Sequence, residues 1–185
     1  MTVLAPQPFR WTRELYDRMV EAGILGPETR VQLIDGEVIE MTPQGSAHTT
    51  AVHILARVLQ SACPQSMYVR IRSPLALDGL SEPEPDIAVV TGAPRDYYHE
   101  HPHRAELVIE VAESSLSLDR TAKQRVYART AIPEYWIANL AEAALEVYRD
   151  PQGEAYAERT ILKAGDSIAP LPCPDRPLAV VDLLP

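Results

Sequence analysis

The chain has 185 residues, 46% of them hydrophobic and 23% charged, with a formal net charge of −9 at pH 7. That length suits one domain with a substantial buried core, and the composition is that of a globular protein. The acidic balance excludes a general nucleic-acid coat protein, which would be basic, but leaves room for an enzyme with a small basic cleft.

Residues 1–10 read as an extended arm with two prolines. Thr12 can cap a helix running to about Ala22, with Leu15, Met19 and Val20 on one face. Val31 to Met41 reads as two short strands around an Asp35-Gly36 turn. Ser46 can cap a second helix to about Ala62, with Val52, Leu55, Val58 and Leu59 at helical spacing. Tyr68 to Asp78 alternates like an edge or bulged strand interrupted at Pro74. Asp86–Thr91 and Ala105–Val111 are strands, the second hardly alternating and so buried on both faces. Between them, residues 92–104 form a polar loop carrying His99, His101 and His103. Asp119 to about Arg129 is a helix. Strands follow at Glu134–Asn139, Leu145–Arg149 and Tyr156–Leu162, and a proline-rich tail over 165–185 ends in the apolar segment Leu178–Leu184. This order predicts one α/β (mixed α+β) domain with a central mixed sheet flanked by helices.

Cys63 and Cys173 stand in no motif and read as buried or incidental thiols, so a reducing cytoplasm is the expected compartment. The first residues lack the basic segment and apolar core of a signal peptide. No apolar run is long enough to span a membrane.

The chemistry concentrates on two strands. Pro85 cannot donate a ladder bond and marks a strand start, which sets Asp86 at a sheet end. Glu110 sits inside Leu107-Val108-Ile109-Glu110-Val111, where an ionised carboxylate costs several kcal/mol, of order 3–5, unless a cation or donor meets it. If the two strands are neighbours, both carboxylates can meet at one Mg²⁺ or Mn²⁺, with a backbone carbonyl such as that of Val111 as a third oxygen ligand. Alternatives remain. Asp86 could be a turn residue, Glu110 a structural acid paired with arginine, and Glu37 a solvated hairpin residue. Asp119, Lys123 and Tyr127, at i, i+4 and i+8, could be an ordinary helix surface. His48 could be a capping residue, and the three loop histidines read as solvated rather than as a zinc site.

At these residues the chain resembles the PD-(D/E)XK nuclease superfamily and, more narrowly, the Uma-two family of restriction-endonuclease-like proteins. The matching pieces are Leu33-Ile34-Asp35-Gly36-Glu37, Met41-Thr42-Pro43 with His48, Pro85-Asp86-Ile87, Val108-Ile109-Glu110-Val111, Asp119 with Lys123 and Tyr127, and Ile132-Pro133-Glu134-Tyr135-Trp136-Ile137. The resemblance implies a restriction-endonuclease-like core. It likewise implies Asp86 and Glu110 as metal ligands and Glu37 as an additional acid. By the same resemblance Lys123 is expected to orient water or stabilise charge, with His48, Asp119 and Tyr127 as accessory residues. The superfamily places a lysine two residues after the second acid, where this chain has Ala112. Lys123, on the following helix, fits the place where the family carries it.

Three functions compete: a divalent-metal-dependent DNA endonuclease, an inactive binding or regulatory protein on the same fold, and a hydrolase of small phosphodiesters. Under the first, Arg70, Arg72, Arg120 and Arg125 are the expected phosphate contacts, although Arg70 and Arg72 could equally pair with Glu82 or Glu84. A homodimer is expected, since a twofold pair of sites would cut both strands.

Overall fold

A computed structural model describes residues 8–26 and 28–185. Most of the predicted N-terminal arm lies outside the described residues, and Phe9 and Arg10 within it are exposed. Helix α1 (Arg13–Glu21) starts where Thr12 accepts a hydrogen bond from the Leu15 amide, as its capping chemistry requires. Its buried residue is Tyr16, whose hydroxyl donates to the Val31 carbonyl, whereas Val20 is exposed. Strands β1 (Val31–Ile34) and β2 (Glu37–Glu40) form an antiparallel hairpin. Both of its turn residues, Asp35 at φ 49° and Gly36 at φ 79°, are left-handed, the type I′ turn that Asp-Gly favours.

Helix α2 (Ser46–Ala62) begins one residue earlier than expected, with Gly45 rather than Ser46 at the cap. Strand β3 (Met67–Ile71) stops well short of Asp78, because Arg72 turns left-handed at φ 44° ahead of Ser73-Pro74. Strands β4 (Ile87–Thr91) and β5 (Leu107–Ala112) flank the polar loop, which contains a single 3₁₀ turn, Pro94–Tyr97. The predicted helix after β5 is a composite: α3 (Leu116–Leu118), a π-helical turn (Asp119–Lys123) and α4 (Gln124–Arg129). Strands β6 (Glu134–Asn139), β7 (Ala144–Gln152) and β8 (Ala155–Lys163) follow. In the tail, β9 (Ser167–Ile168) pairs with β10 (Leu178–Ala179).

Six strands form one mixed sheet in the order β3-β4-β5-β6-β7-β8, with only β5 and β6 parallel. A parallel pair needs a crossover, and α3, the π turn and α4 supply it. Helix α2 covers one face through Ala51, Val52, Leu55 and Leu59 against Val89, Ile109, Val111 and Trp136. The crossover covers the other through Tyr127 and Ala128 against Val108, Ala112, Tyr135 and Ile137. Strand β5 is therefore buried on both faces, as its unbroken apolar run predicts.

The register aligns the two acids. Ile71 pairs with Ile87, and Ile87 with Ile109. One step further, Arg72 stands opposite Asp86, its amide donating to the Asp86 carbonyl at 3.0 Å, and Asp86 stands opposite Glu110. The row continues through Ile137 to Glu146, because Glu110 pairs with Ile137 and Ile137 with Glu146.

Candidate active site

Asp86 and Glu110 converge at the end of β5 and the start of β4, both almost fully buried. Asp86 is held on three sides. Its Oδ2 accepts from the Val111 amide at 2.9 Å and lies 3.1 Å from His48 Nε2, while Oδ1 accepts from Gln44 Nε2 at 3.2 Å. A carboxylate only accepts, so the imidazole is the donor in this pair. Glu110 is held on one oxygen. Its Oε1 accepts from Lys123 Nζ at 2.8 Å and from the Tyr127 hydroxyl at 2.7 Å. Its Oε2 has no hydrogen-bond partner among the described residues, and it is not among the fully buried polar atoms that lack one. It therefore faces the adjoining cavity of about 100 Å³, which Asp86, Glu110, His48 and Lys123 line together with Gln44 and Glu84.

The π turn brings Lys123 here. It buries Asp119 and Lys123 together, and Lys123 Nζ lies 3.8 Å from Asp119 Oδ1. Ser115 Oγ donates to Asp119 Oδ2 at 2.5 Å, and the Tyr135 hydroxyl donates to the Asp119 carbonyl at 3.2 Å. Along this segment Lys123, Val126 and Tyr127 are buried, and Leu118 and Ala122 only partly. Asp119, Lys123 and Tyr127 are thus not an ordinary helix surface.

Burial governs the proton affinities. It pushes the Glu110 carboxyl up to about 8, against the opposing pull of Lys123. Burial likewise raises Asp119, with Lys123 and Ser115 opposing it. For Lys123, burial works downward, but Glu110 and Asp119 outweigh it and the ammonium is held above its ordinary value. Burial and the neighbouring Glu110 keep Tyr127 a phenol donor.

Several expected residues lie elsewhere. Glu37 is exposed at the turn end of the hairpin; Glu40, at the other end of β2, reaches the cavity instead. Arg120 is committed to Glu146, donating through Nε at 3.1 Å and through Nη2. Arg125 pairs with Asp35 at 2.8 Å. Arg70 turns towards the Tyr97 ring and the Pro74 carbonyl. His103 is occupied by Glu100 and the Ala76 carbonyl. Among the described residues, no group of three or more His, Cys, Asp or Glu side chains has a metal-holding arrangement. Glu40, Gln44 and Glu84 were not singled out from the sequence. Glu84 had a legible signal in Pro83-Glu84-Pro85-Asp86, where extended chain puts residues i and i+2 on one side.

With this geometry in hand, the comparisons identify the class. The fold matches a solved structure from Anabaena variabilis, described as "a putative nuclease belonging to DUF820", with a TM-score of 0.72 and 20% identity, covering 93% of this chain and 96% of that one. Residues 13–180 match the Uma2 family, described as "Putative restriction endonuclease". The chain belongs to this family, and its function is nuclease-like. A search of curated proteins returned no match. Among the described residues, no helix is long and apolar enough to cross a membrane.

Proposed function

We propose that the chain is a divalent-metal-dependent DNA endonuclease centred on Asp86, Glu110 and Lys123. The observation that carries this reading is the half-satisfied Glu110, a buried carboxylate with one oxygen on Lys123 and Tyr127 and the other open to the cavity. An acid in so buried a position, with one oxygen that no protein group answers, invites an unplaced ligand on the cavity side. Buried polar atoms without partners also occur at Gln44 Oε1, His48 Nδ1 and Asp119 Oδ1, all on residues touching this site.

The donor set fits a hard cation, which prefers oxygen ligands. Asp86, Glu110 and the Val111 carbonyl would hold Mg²⁺ or Mn²⁺; that carbonyl shares a strand edge with the amide that meets Asp86. Such an ion supplies Lewis acidity to the phosphate and acidifies a bound water. The chain's own residues do the rest. His48 and Gln44 fix the Asp86 carboxylate, and Tyr127 and Lys123 fix Glu110 Oε1, which leaves Oε2 for the cavity. Lys123 brings a fixed positive charge to the cavity wall, where the phosphorane would gather negative charge. Twofold pairing of two copies would place one site on each DNA strand, which light scattering at micromolar concentration tests.

The deciding experiment is nicking of supercoiled plasmid in Mg²⁺ or Mn²⁺ by wild type and Glu110→Gln, with Mn²⁺ binding followed by electron paramagnetic resonance. Cleavage and Mn²⁺ binding that both depend on Glu110 support the reading. Wild type that neither binds Mn²⁺ nor nicks DNA sinks it and leaves an inactive binding protein on the nuclease fold.

A further inference from the structure

Arginines in this fold use one particular fork. Arg120 donates to Glu146 through Nε and Nη2, Arg149 to Glu134 through the same two atoms, and Arg129 to Asp78 through the same two again. In each pair the two donors converge on one carboxylate oxygen, and the same edge of the guanidinium can take the oxygens of a phosphate. Arg72 has the same fork with nothing in it: Nε and Nη2 are both buried and both lack a partner. Arg72 as a whole is partly buried, but two fully buried N–H donors without an acceptor are costly.

The position is also telling. Arg72 stands directly across from Asp86, so Arg72, Asp86 and Glu110 form one row over three neighbouring strands. Lys123 closes the row at the Glu110 side, leaving Arg72 as the cation on the other side of the acid pair. Arg72 is left-handed at φ 44°, a conformation in which a non-glycine residue is strained. Strain and an empty fork on one residue, bonded through its amide to the Asp86 carbonyl, mark a group kept for something other than packing.

We propose that Arg72 is the oxyanion anchor of this site, its Nε/Nη2 fork taking a backbone phosphate of the substrate beside the Asp86–Glu110 pair. That the phosphate belongs to DNA rests on the nuclease reading; the oxyanion fork itself does not. Nη1 has no partner either but is not fully buried, whereas Nε and Nη2 are closed off, so phosphate binding requires the terminal side-chain bonds to rotate and present the fork. The competing occupant is Glu84, which Arg72 influences electrostatically without a hydrogen bond. If Glu84 were a structural partner, removing Arg72 would destabilise the fold.

The test uses the full chain and two probes. The first is inorganic phosphate in EDTA, with thermal unfolding as the readout, for wild type, Arg72→Ala, Arg72→Lys and Arg125→Ala. Phosphate should raise the melting temperature of wild type and Arg125→Ala, less so that of Arg72→Lys, and leave Arg72→Ala unmoved. Without phosphate, Arg72→Ala should melt no lower than wild type. The second probe is a short DNA duplex in Ca²⁺. Arg72→Ala should bind about tenfold more weakly, the loss expected for a charged hydrogen bond. Its log–log salt slope should be shallower by about 0.9, one phosphate contact.

A phosphate response that survives Arg72→Ala, or is missing from wild type, overturns the anchor. So does a phosphate-free loss of stability in Arg72→Ala that Arg72→Lys restores. Duplex cleavage by wild type with an unchanged salt slope in Arg72→Ala removes Arg72 and leaves the nuclease standing. An Arg72-dependent phosphate response with no binding or cleavage of DNA removes the nuclease and leaves the anchor.

Discussion

Glu110 and Glu146 lie in the same row of the same sheet, separated by Ile137, and both are buried. Their surroundings drive them in opposite directions. For Glu146, burial works to raise the carboxyl, but hydrogen bonds from Arg120, Tyr148, Arg159 and Asn139 outweigh it and bring it down to about 2. Both of its oxygens are occupied. Glu110 has one cation and one phenol on a single oxygen, and burial carries it up to about 8. The π turn serves both, with Arg120 reaching Glu146 while Asp119 and Lys123 turn to Glu110. A buried acid whose every lone pair is answered is part of the scaffold; one left half answered is where a ligand fits. The two can be told apart by experiment.

The largest expected effect is on catalysis. Glu110→Gln should lower plasmid nicking by at least about 10²-fold, comparable to losing a central charge-stabilising group. Its urea midpoint should fall as well, because Lys123 stays buried without the carboxylate it pairs with at 2.8 Å, so nicking is compared where both proteins are folded. Undiminished nicking would erase the distinction between the two acids.

Next in size is the reverse case. Glu146→Gln should leave nicking intact but cost about 2 kcal/mol in urea unfolding, since charged hydrogen bonds contribute about 1.5–3 kcal/mol each and the exposed Arg159 can rehydrate. A variant as stable as wild type would show that the saturated network contributes nothing net.

A pH series sharpens the point. Glu146 titrates near its ordinary 4.5 when unfolded and about 2 when folded. Unfolded chain therefore binds more protons in that window, and stability falls as pH drops through it. The Glu146 contribution is complete above 4.5 and lost towards 2, so Glu146→Gln should show a shallower acid limb. Identical limbs would reject the assignment. The smallest effect belongs to Tyr127→Phe, which removes one donor from Glu110 and should cost about 1 kcal/mol. Nicking should fall less than in Glu110→Gln; an equal loss would make Tyr127 part of the chemistry.

The sheet was legible because its signals are local. The Asp35-Gly36 turn, the apolar runs of β4 to β6 and the strand-start proline before Asp86 carry their own physical reasons. The acid pair followed, since neighbouring antiparallel strands bring the start of one beside the end of the next. The arginines did not follow. Arg120 and Arg125 flank Lys123 in sequence, but adjacent helix residues point in different directions, and the two meet Glu146 and Asp35. Glu37 failed for a related reason: the tight turn put it at the wrong end of its own strand. Which loop residues close the cavity depends on how α1, the hairpin and the 72–86 segment pack, which no local pattern encodes.

The π turn has a consequence for insertions and deletions. An α-helix advances about 100° per residue, so one residue more or less rotates everything downstream by that angle. Between Asp119 and Lys123 the chain carries the wider turn, and beyond it Val126 and Tyr127 still meet the sheet. Two phase requirements, one from the site and one from the core, are reconciled in those five residues. Deleting Thr121 or Ala122 tightens the turn to α and forces a choice. The chain can keep Lys123 and Tyr127 on Glu110 and swing Asp119 and Arg120 out of place, or hold Asp119 and Arg120 and rotate Lys123 and Tyr127 off Glu110. The segment should therefore tolerate substitution far better than a change of length.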